Sequence, residues 1–202
     1  MASDLLLPLF PLEVVLLPSV YLPLHIFEER YKLMIGEAVD RRSEFGIVLA
    51  KEENLASAGC SARVDRVLKR YPDGRLDVVA RGERRFEILF LDEQKPYLQA
   101  AVHFFDDEPD SGPPPEASAR LSELFQQAAS LLSASPSPDP FTSFQVAAVL
   151  PFELDVKQQL LSSRSEADRV TLLCQQLEKL LPRLELTRRA ERLSRGNGRP
   201  SG

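Results

Sequence analysis

The sequence predicts an α+β protein. A β unit of short, bent strands with one inserted helix, over residues 1–110, precedes an α-helical unit over residues 111–193. Three observations carry this. Short β-favourable runs, punctuated by proline and turn residues, fill most of the stretch before Asp106. Only the segment from His25 to Asp40 breaks that pattern, with a 3.6-residue period. From Asp106 the chain turns acidic and proline-rich, and beyond that joint the helical period takes over.

Each element follows from its residues. Leu5–Leu7, Val14–Leu17 and Val20–Leu22 are short β-favourable runs punctuated by Pro8, Pro11, Pro18 and Pro23. Proline cannot donate to a strand ladder, so it marks strand starts, edges and bulges. A closed or half-closed barrel suits such strands better than a flat sheet. In the helix from His25 to Asp40, Phe27, Tyr31, Met34, Ile35 and Ala38 form one face, and Glu28, Glu29, Lys32 and Glu37 fall mostly on the other. Acids near its start suit the positive end of the helix dipole. Phe45–Leu49 resumes the strands. Ala62–Tyr71 and Leu76–Ala80 flank Pro72-Asp73-Gly74, so Val64–Ala80 reads as a β-hairpin. Arg85–Leu91 and Tyr97–Phe105 are two further strands, with Pro96 between them.

The stretch Asp106–Pro115 is a linker or loop. After it Leu121, Leu124, Phe125, Ala128, Leu131 and Leu132 make a helical stripe. Ser133–Pro140 is a second break. Phe144–Leu150 is a short helix stopped by Pro151, and Asp155–Leu161 is another. The last helix opens at Ser165, with Asp168 where a capping box has Glu or Gln. Val170, Leu173, Cys174, Leu177, Leu180 and Leu181 continue it until Pro182, which is expected to end or kink it. Residues 194–202 are expected to be a disordered tail.

Composition narrows the function. The chain has 202 residues, a net charge of −5, 44% hydrophobic and 27% charged residues, as in an ordinary soluble globular protein. Duplex binding normally needs a basic footprint, and residues 1–110 carry 14 basic against 20 acidic side chains. Arg183, Arg188, Arg189, Arg192, Arg195 and Arg199, set against Glu185 and Glu191, make the C-terminal end basic. That run reads first as a solvated helix end and second as a contact for RNA or an acidic partner. Cys60 and Cys174 are too few for a disulfide framework and read as small apolar side chains. His25 and His103 have no metal-ligand spacing, so no metal or other cofactor is expected. The apolar stretch Leu5–Phe27 has no basic residue before it and is broken by prolines, so neither a signal peptide nor a membrane span is expected; the default location is the cytoplasm.

Chemistry is thin. The sequence contains no GxxxxGK[ST], GxGxxG or GxSxG motif, and its two histidines suggest no nucleophilic triad. Glu28-Glu29, Glu52-Glu53 and Asp106-Asp107 are sequence neighbours whose side chains point apart, so they read as surface charge.

One resemblance is specific. Leu7-Pro8-Leu9-Phe10-Pro11-Leu12, Val15-Leu16-Leu17-Pro18 and Leu22-Pro23-Leu24-His25-Ile26-Phe27-Glu28-Glu29-Arg30-Tyr31 resemble the N-terminal substrate-binding domain of Lon, the ATP-dependent protease La. Phe45–Leu49, Gly59–Val64, Pro72–Leu76, Arg81-Gly82, Arg85-Phe86 and Pro96-Tyr97-Leu98 follow in order, and the resemblance spans residues 5–185. It implies a PUA-like β pseudo-barrel subdomain with one inserted helix, followed by a C-terminal α-helical bundle. It also implies a non-enzymatic module, since it does not include Lon's ATPase and Ser-Lys protease segments. Stand-alone Lon-domain proteins are similar in size.

Most motif positions have a structural reading. Pro11, Pro18 and Pro23 set bends. Phe27 and Tyr31 share a helix face and plug one end of the barrel. Arg30 and Glu28 pair with the hairpin bearing Arg81–Phe86. Gly82 marks a bulge or tight bend. The functional reading takes Phe27, Tyr31, Arg30, Arg85 and Phe86 as candidate binding residues. The implied partner is an unfolded or hydrophobic polypeptide, or another protein, bound through an exposed apolar groove or a strand edge. The alternative is RNA, which PUA-like folds can bind and which the acidic β half disfavours. A small-molecule or hydrolytic site would need a concave pocket with convergent polar groups.

Overall fold

A computed structural model describes residues 6–52, 54–109, 112–132 and 142–196. Its strands are β1 (Leu7–Leu12), β2 (Tyr21–Ile26), β3 (Phe45–Lys51), β4 (Asn54–Arg70), β5 (Leu76–Asp92) and β6 (Gln99–Phe105). Its helices are α1 (Glu29–Arg41), α2 (Pro115–Leu132), α3 (Ser143–Val149), α4 (Leu154–Ser162) and α5 (Glu166–Gly196). The chain divides into two compact units: Met1–Glu108 with Glu153–Arg164, and Pro109–Phe152 with Ser165–Gly202. The α+β class read from the sequence is the class observed.

The first unit is built on one sheet of order β2-β5-β4-β3-β1-β6, in which β6 also pairs with β5. The ladder therefore closes on itself as a pseudo-barrel, with β2 appended outside the ring. β1 and β3 are parallel, from Leu9 opposite Gly46 to Leu12 opposite Leu49. Every other pairing is antiparallel. The predicted hairpin is longer than its signal suggested, with 17 residues in each of β4 and β5. Gly74 takes φ +84 in its turn, a conformation that favours glycine. Two runs that read as separate strands, Leu76–Ala80 and Arg85–Leu91, are one continuous strand. Its first half pairs with β2 and its second with β6.

Gly82 sits where β5 changes partners. A Cβ there would lie 2.3 Å from the Leu17 carbonyl oxygen. The close approach lets Gly82 N–H donate to Val20 O (2.9 Å) and Gly82 O accept from Ser19 N–H (2.8 Å). Just beyond it, β5 takes three residues to cover the two steps from Cys60 to Ala62 on β4, which is the expected bulge. Val14–Leu17 is not the strand its composition suggested. Val15, Leu16 and Leu17 are buried in an irregular segment ending at this Gly82 contact.

Helix α1 starts at Glu29, later than the period implied. The β2 ladder continues through His25 and Ile26, opposite Asp77 and Leu76, and overrides the local helical pattern. Tyr31, Met34, Ile35 and Ala38 are buried as predicted. Phe27 precedes the helix and is 60% exposed, so it shares no face with Tyr31 and plugs nothing.

Helix α4 packs with the sheet, although the sequence placed it in the helical unit. Its Leu160 and Leu161 are buried, and Gln158 Nε2 donates to Ala58 O at 3.0 Å. The buried Arg85 donates to the Leu161 and Ser163 carbonyls and pairs with Asp107 at 2.6 Å. A cation suits the orphan carbonyls at a helix C-terminus. Cys60 lies in the sheet interior, where burial pushes its thiol up to about 12. Iodoacetamide at pH 8 should leave Cys60 unmodified in the native protein and alkylate it once urea unfolds the chain. Mass spectrometry of the Cys60 peptide reads this, and native modification would show that the interior opens.

In the second unit α2 and α5 run side by side in the same direction. Arg120 contacts Glu178 (3.2 Å) and Arg188 contacts Ser130 O (3.2 Å). Leu121, Leu124, Phe125 and Ala128 of α2 and Val170, Leu173 and Leu177 of α5 are buried. Thr142 and Gln145 form a capping box on α3. Ser165 Oγ accepts from Asp168 N–H at 3.1 Å, as the sequence implied. Pro182 does not end α5, which continues to Gly196; the residue is solvent-exposed there. The tail expected to be disordered from 194 is helical through Gly196, and 197–202 lie outside the described residues, as does the Ser133–Pro140 break.

Candidate functional site

The five candidate residues do not form one site. Arg30 and Tyr31 line a cleft of about 350 Å³ with Pro11, Glu93, Pro96 and Leu98. A second cleft of about 470 Å³ continues along α1 past Met34, Glu37, Ala38 and Arg41, and both are bordered by Lys95 and Tyr97. Where they meet, Lys95 Nζ donates to Tyr97 Oη (2.8 Å) and Tyr97 O–H donates to Glu37 (3.2 Å). Tyr31 is held by packing, with its ring centroid 4.2 Å from that of Phe10. Arg30 donates to Glu28 at 3.0 Å, so these two pair with each other and not with the Arg81–Phe86 segment as expected.

Arg85 and Phe86 are interior residues. Phe86 is fully buried against Leu7, Leu9, Val48 and Ala100, and Arg85 holds α4 and Asp107. A ligand cannot reach either without opening the unit, which removes them as contact residues. Phe27 stays accessible at the end of β2, where its ring lies 6.0 Å from His25.

The surface that sequence reasoning missed is Leu89-Phe90-Leu91. All three are between 46% and 65% exposed. In a regular strand neighbours alternate between faces, so one of three successive large apolar residues should point inward. A bulge between Ile88 and Phe90, two residues of β5 against the single step from Val102 to Ala101 of β6, breaks that alternation. Half-buried Leu55, Ala56, Ile88, Leu98, Val102 and Phe104 pack on the core cluster that contains Phe86. The signal was present as an apolar triplet in a strand that otherwise alternates. This surface offers apolar contact and no proton donor or nucleophile. Among the described residues no group of three His, Cys, Asp or Glu could hold a metal ion, and no helix is long and apolar enough to cross a membrane.

Residues 6–179 match the family model described as the ATP-dependent protease La (LON) substrate-binding domain, and the chain belongs to that family. It is 36% identical over 110 residues to the Lon protease of Parabacteroides distasonis, covering 50% of this chain and 13% of that protein. With the Lon protease of Cytophaga hutchinsonii it shares 24% identity over 204 residues, 90% of this chain and 25% of the relative. The chain thus spans a quarter or less of these relatives. A crystal structure of a Lon N-terminal domain protein from Xanthomonas campestris superposes with a TM-score of 0.66 at 25% identity, covering 83% of this chain and 96% of that one. The N-terminal domain of a Mycobacterium avium complex Lon protease has the same fold, with a TM-score of 0.65 at 19% identity over 86% and 98% of the two chains.

Proposed function

We propose that this chain is a non-enzymatic module that binds unfolded or hydrophobic polypeptide segments in the cytoplasm. The exposed Leu89-Phe90-Leu91 triplet carries this reading. Apolar residues left this exposed favour aggregation unless a partner covers them. Membership of the substrate-binding family supports it.

The test is binding of reduced, unfolded casein and of a random RNA oligomer at low and moderate salt. Wild type should bind casein with little salt dependence, and Phe90→Ser should weaken binding by about tenfold or more, since a buried Phe contributes roughly 1.5–3 kcal/mol. Phe90 is 56% exposed, so Phe90→Ser should cost the fold only about 1 kcal/mol, and urea denaturation should show a cooperative transition close to that of wild type. Salt-sensitive RNA binding without casein binding would replace this reading with an RNA-binding one.

A further inference from the structure

The outer face of β2, β5 and β4 is a three-by-three array of side chains. Strand pairing sets its rows: Tyr21, Arg81 and Arg63; Pro23, Val79 and Arg66; His25, Asp77 and Lys69. Residues directly opposite one another point to the same side of a sheet. On β4 the cations are three apart, a spacing that would put alternate ones on opposite faces of a regular strand. Two register shifts, between Val64 and Arg66 and between Val67 and Lys69, restore them to one face. Arg63, Arg66 and Lys69 thus form a cation column on β4, parallel to a column of Tyr21, Pro23 and His25 on β2 that ends at Phe27. Val79 is the buried floor between them.

Carboxylates accompany the cations but lie deeper. Arg63 is 54% exposed over Glu44 at 13%, Arg66 68% beside Asp65 at 34%, and Arg81 44% beside Glu83 at 29%. Burial works to raise the Glu44 carboxyl, but hydrogen bonds from Arg63, Ser61 and Arg84 outweigh it and hold the group ionised beneath the guanidinium groups. Asp77 is taken up by His25 Nδ1 at 2.5 Å and by the Tyr71 hydroxyl at 2.8 Å. The cations are therefore the outermost charges of this face, in a chain whose net charge is −5.

We propose that this face docks an extended acidic polypeptide segment with a carboxylate at every second residue. Rows of a sheet are two residues apart, about 6.6–6.8 Å, which is also the repeat of alternate side chains in an extended peptide. Its carboxylates meet Arg63, Arg66 and Lys69, and its intervening side chains meet Tyr21, Pro23 and Phe27. The inference rests on the reading that the module binds polypeptide. It adds a second surface, selective for charge, apart from the apolar triplet. A single-stranded nucleic acid carries a similar charge repeat and meets the same long-range repulsion from the net acidic chain; what favours the peptide is the match between its alternate side chains and the column of Tyr21, Pro23 and Phe27.

The experiment is fluorescence anisotropy with the full chain and three labelled probes: a peptide of five Glu-Tyr repeats, its Lys-Tyr counterpart, and an oligouridylate of equal charge. Saturable binding of the Glu-Tyr peptide alone, weakening as salt rises, is the expected result. The double variant Arg66→Gln with Lys69→Gln should reduce it by about tenfold, while Phe90→Ser leaves it unchanged. Both substituted positions are exposed, and an unchanged urea transition confirms that the variant is folded. Equal binding of the Lys-Tyr peptide, preference for oligouridylate, or an unaffected double variant would overturn the proposal. Loss of casein binding is read separately with Phe90→Ser, so failure here leaves the casein reading standing, and failure of both probes rejects both.

Discussion

Arg169→Met should destabilise the helical unit by about 3–5 kcal/mol, the range for breaking one side of a buried ion pair. Arg169 is 1% exposed although it carries a charge. Its Nε donates to Ser143 Oγ (3.0 Å) and to Glu166 (2.9 Å), and a terminal nitrogen lies 2.5 Å from Glu166. Its guanidinium stacks 4.5 Å from the Phe144 ring. Glu166 also accepts from the Ser143 backbone N–H (3.1 Å) and hydroxyl (2.7 Å), so one arginine ties the start of α5 to the start of α3. Methionine fills comparable space but leaves that carboxylate without its cation. Arg169→Lys should recover little, because an ammonium cannot reproduce the planar fork over Phe144. Replacing Glu166 with Gln as well should recover a large part of the loss, since the cost is that of an uncompensated charge. Urea denaturation followed by circular dichroism reads all three. A loss below about 1 kcal/mol for Arg169→Met would mean that the cluster is as weak as a surface pair.

Phe86→Ala should cost the β unit about 3–5 kcal/mol, as truncation of a buried phenylalanine does. Phe86 is fully buried, and its ring reaches over two glycines that make room for it. A Cβ on Gly46 or Gly59 would lie 2.7 Å from the Phe86 ring. The neighbours at Gly46 are all side chains, from Leu7, Leu9 and Phe86. Gly46→Ala should therefore be destabilising in the wild type and milder beside Phe86→Leu, a less-than-additive loss in a double-mutant cycle. Strict additivity of the two changes would show that the ring does not set the space at Gly46. Because Phe86 makes no surface contact, Phe86→Leu should also leave casein affinity within about twofold of wild type where the protein remains folded.

The gap between sequence and structure follows from the range of the interactions involved. The period of α1 marked its buried face, because i, i+3 and i+4 neighbours are fixed by local geometry. Its start was misplaced because the β2–β5 ladder, formed with residues about fifty positions away, holds His25 and Ile26 extended. For the same reason Phe27 looked like a core residue and is a surface one. Arg85 reads from the sequence as a candidate binding residue and is interior, since its partners Leu161, Ser163 and Asp107 come together only on folding.

The sequence alone determined the α+β class, the joint after Phe105, the hairpin turn at Gly74, the bulge at Gly82 and the capping start of α5. It also carried the family, through proline, glycine and aromatic positions whose conformational demands are local. Tertiary structure alone decided which residues face solvent. Bulges set the exposure of Leu89-Phe90-Leu91 and the shared face of Arg63, Arg66 and Lys69. Unlike the bulge beside Gly82, these contain no glycine to mark them, and a bulge inserts one residue in one strand relative to its partner, so their positions belong to the pairing of two strands.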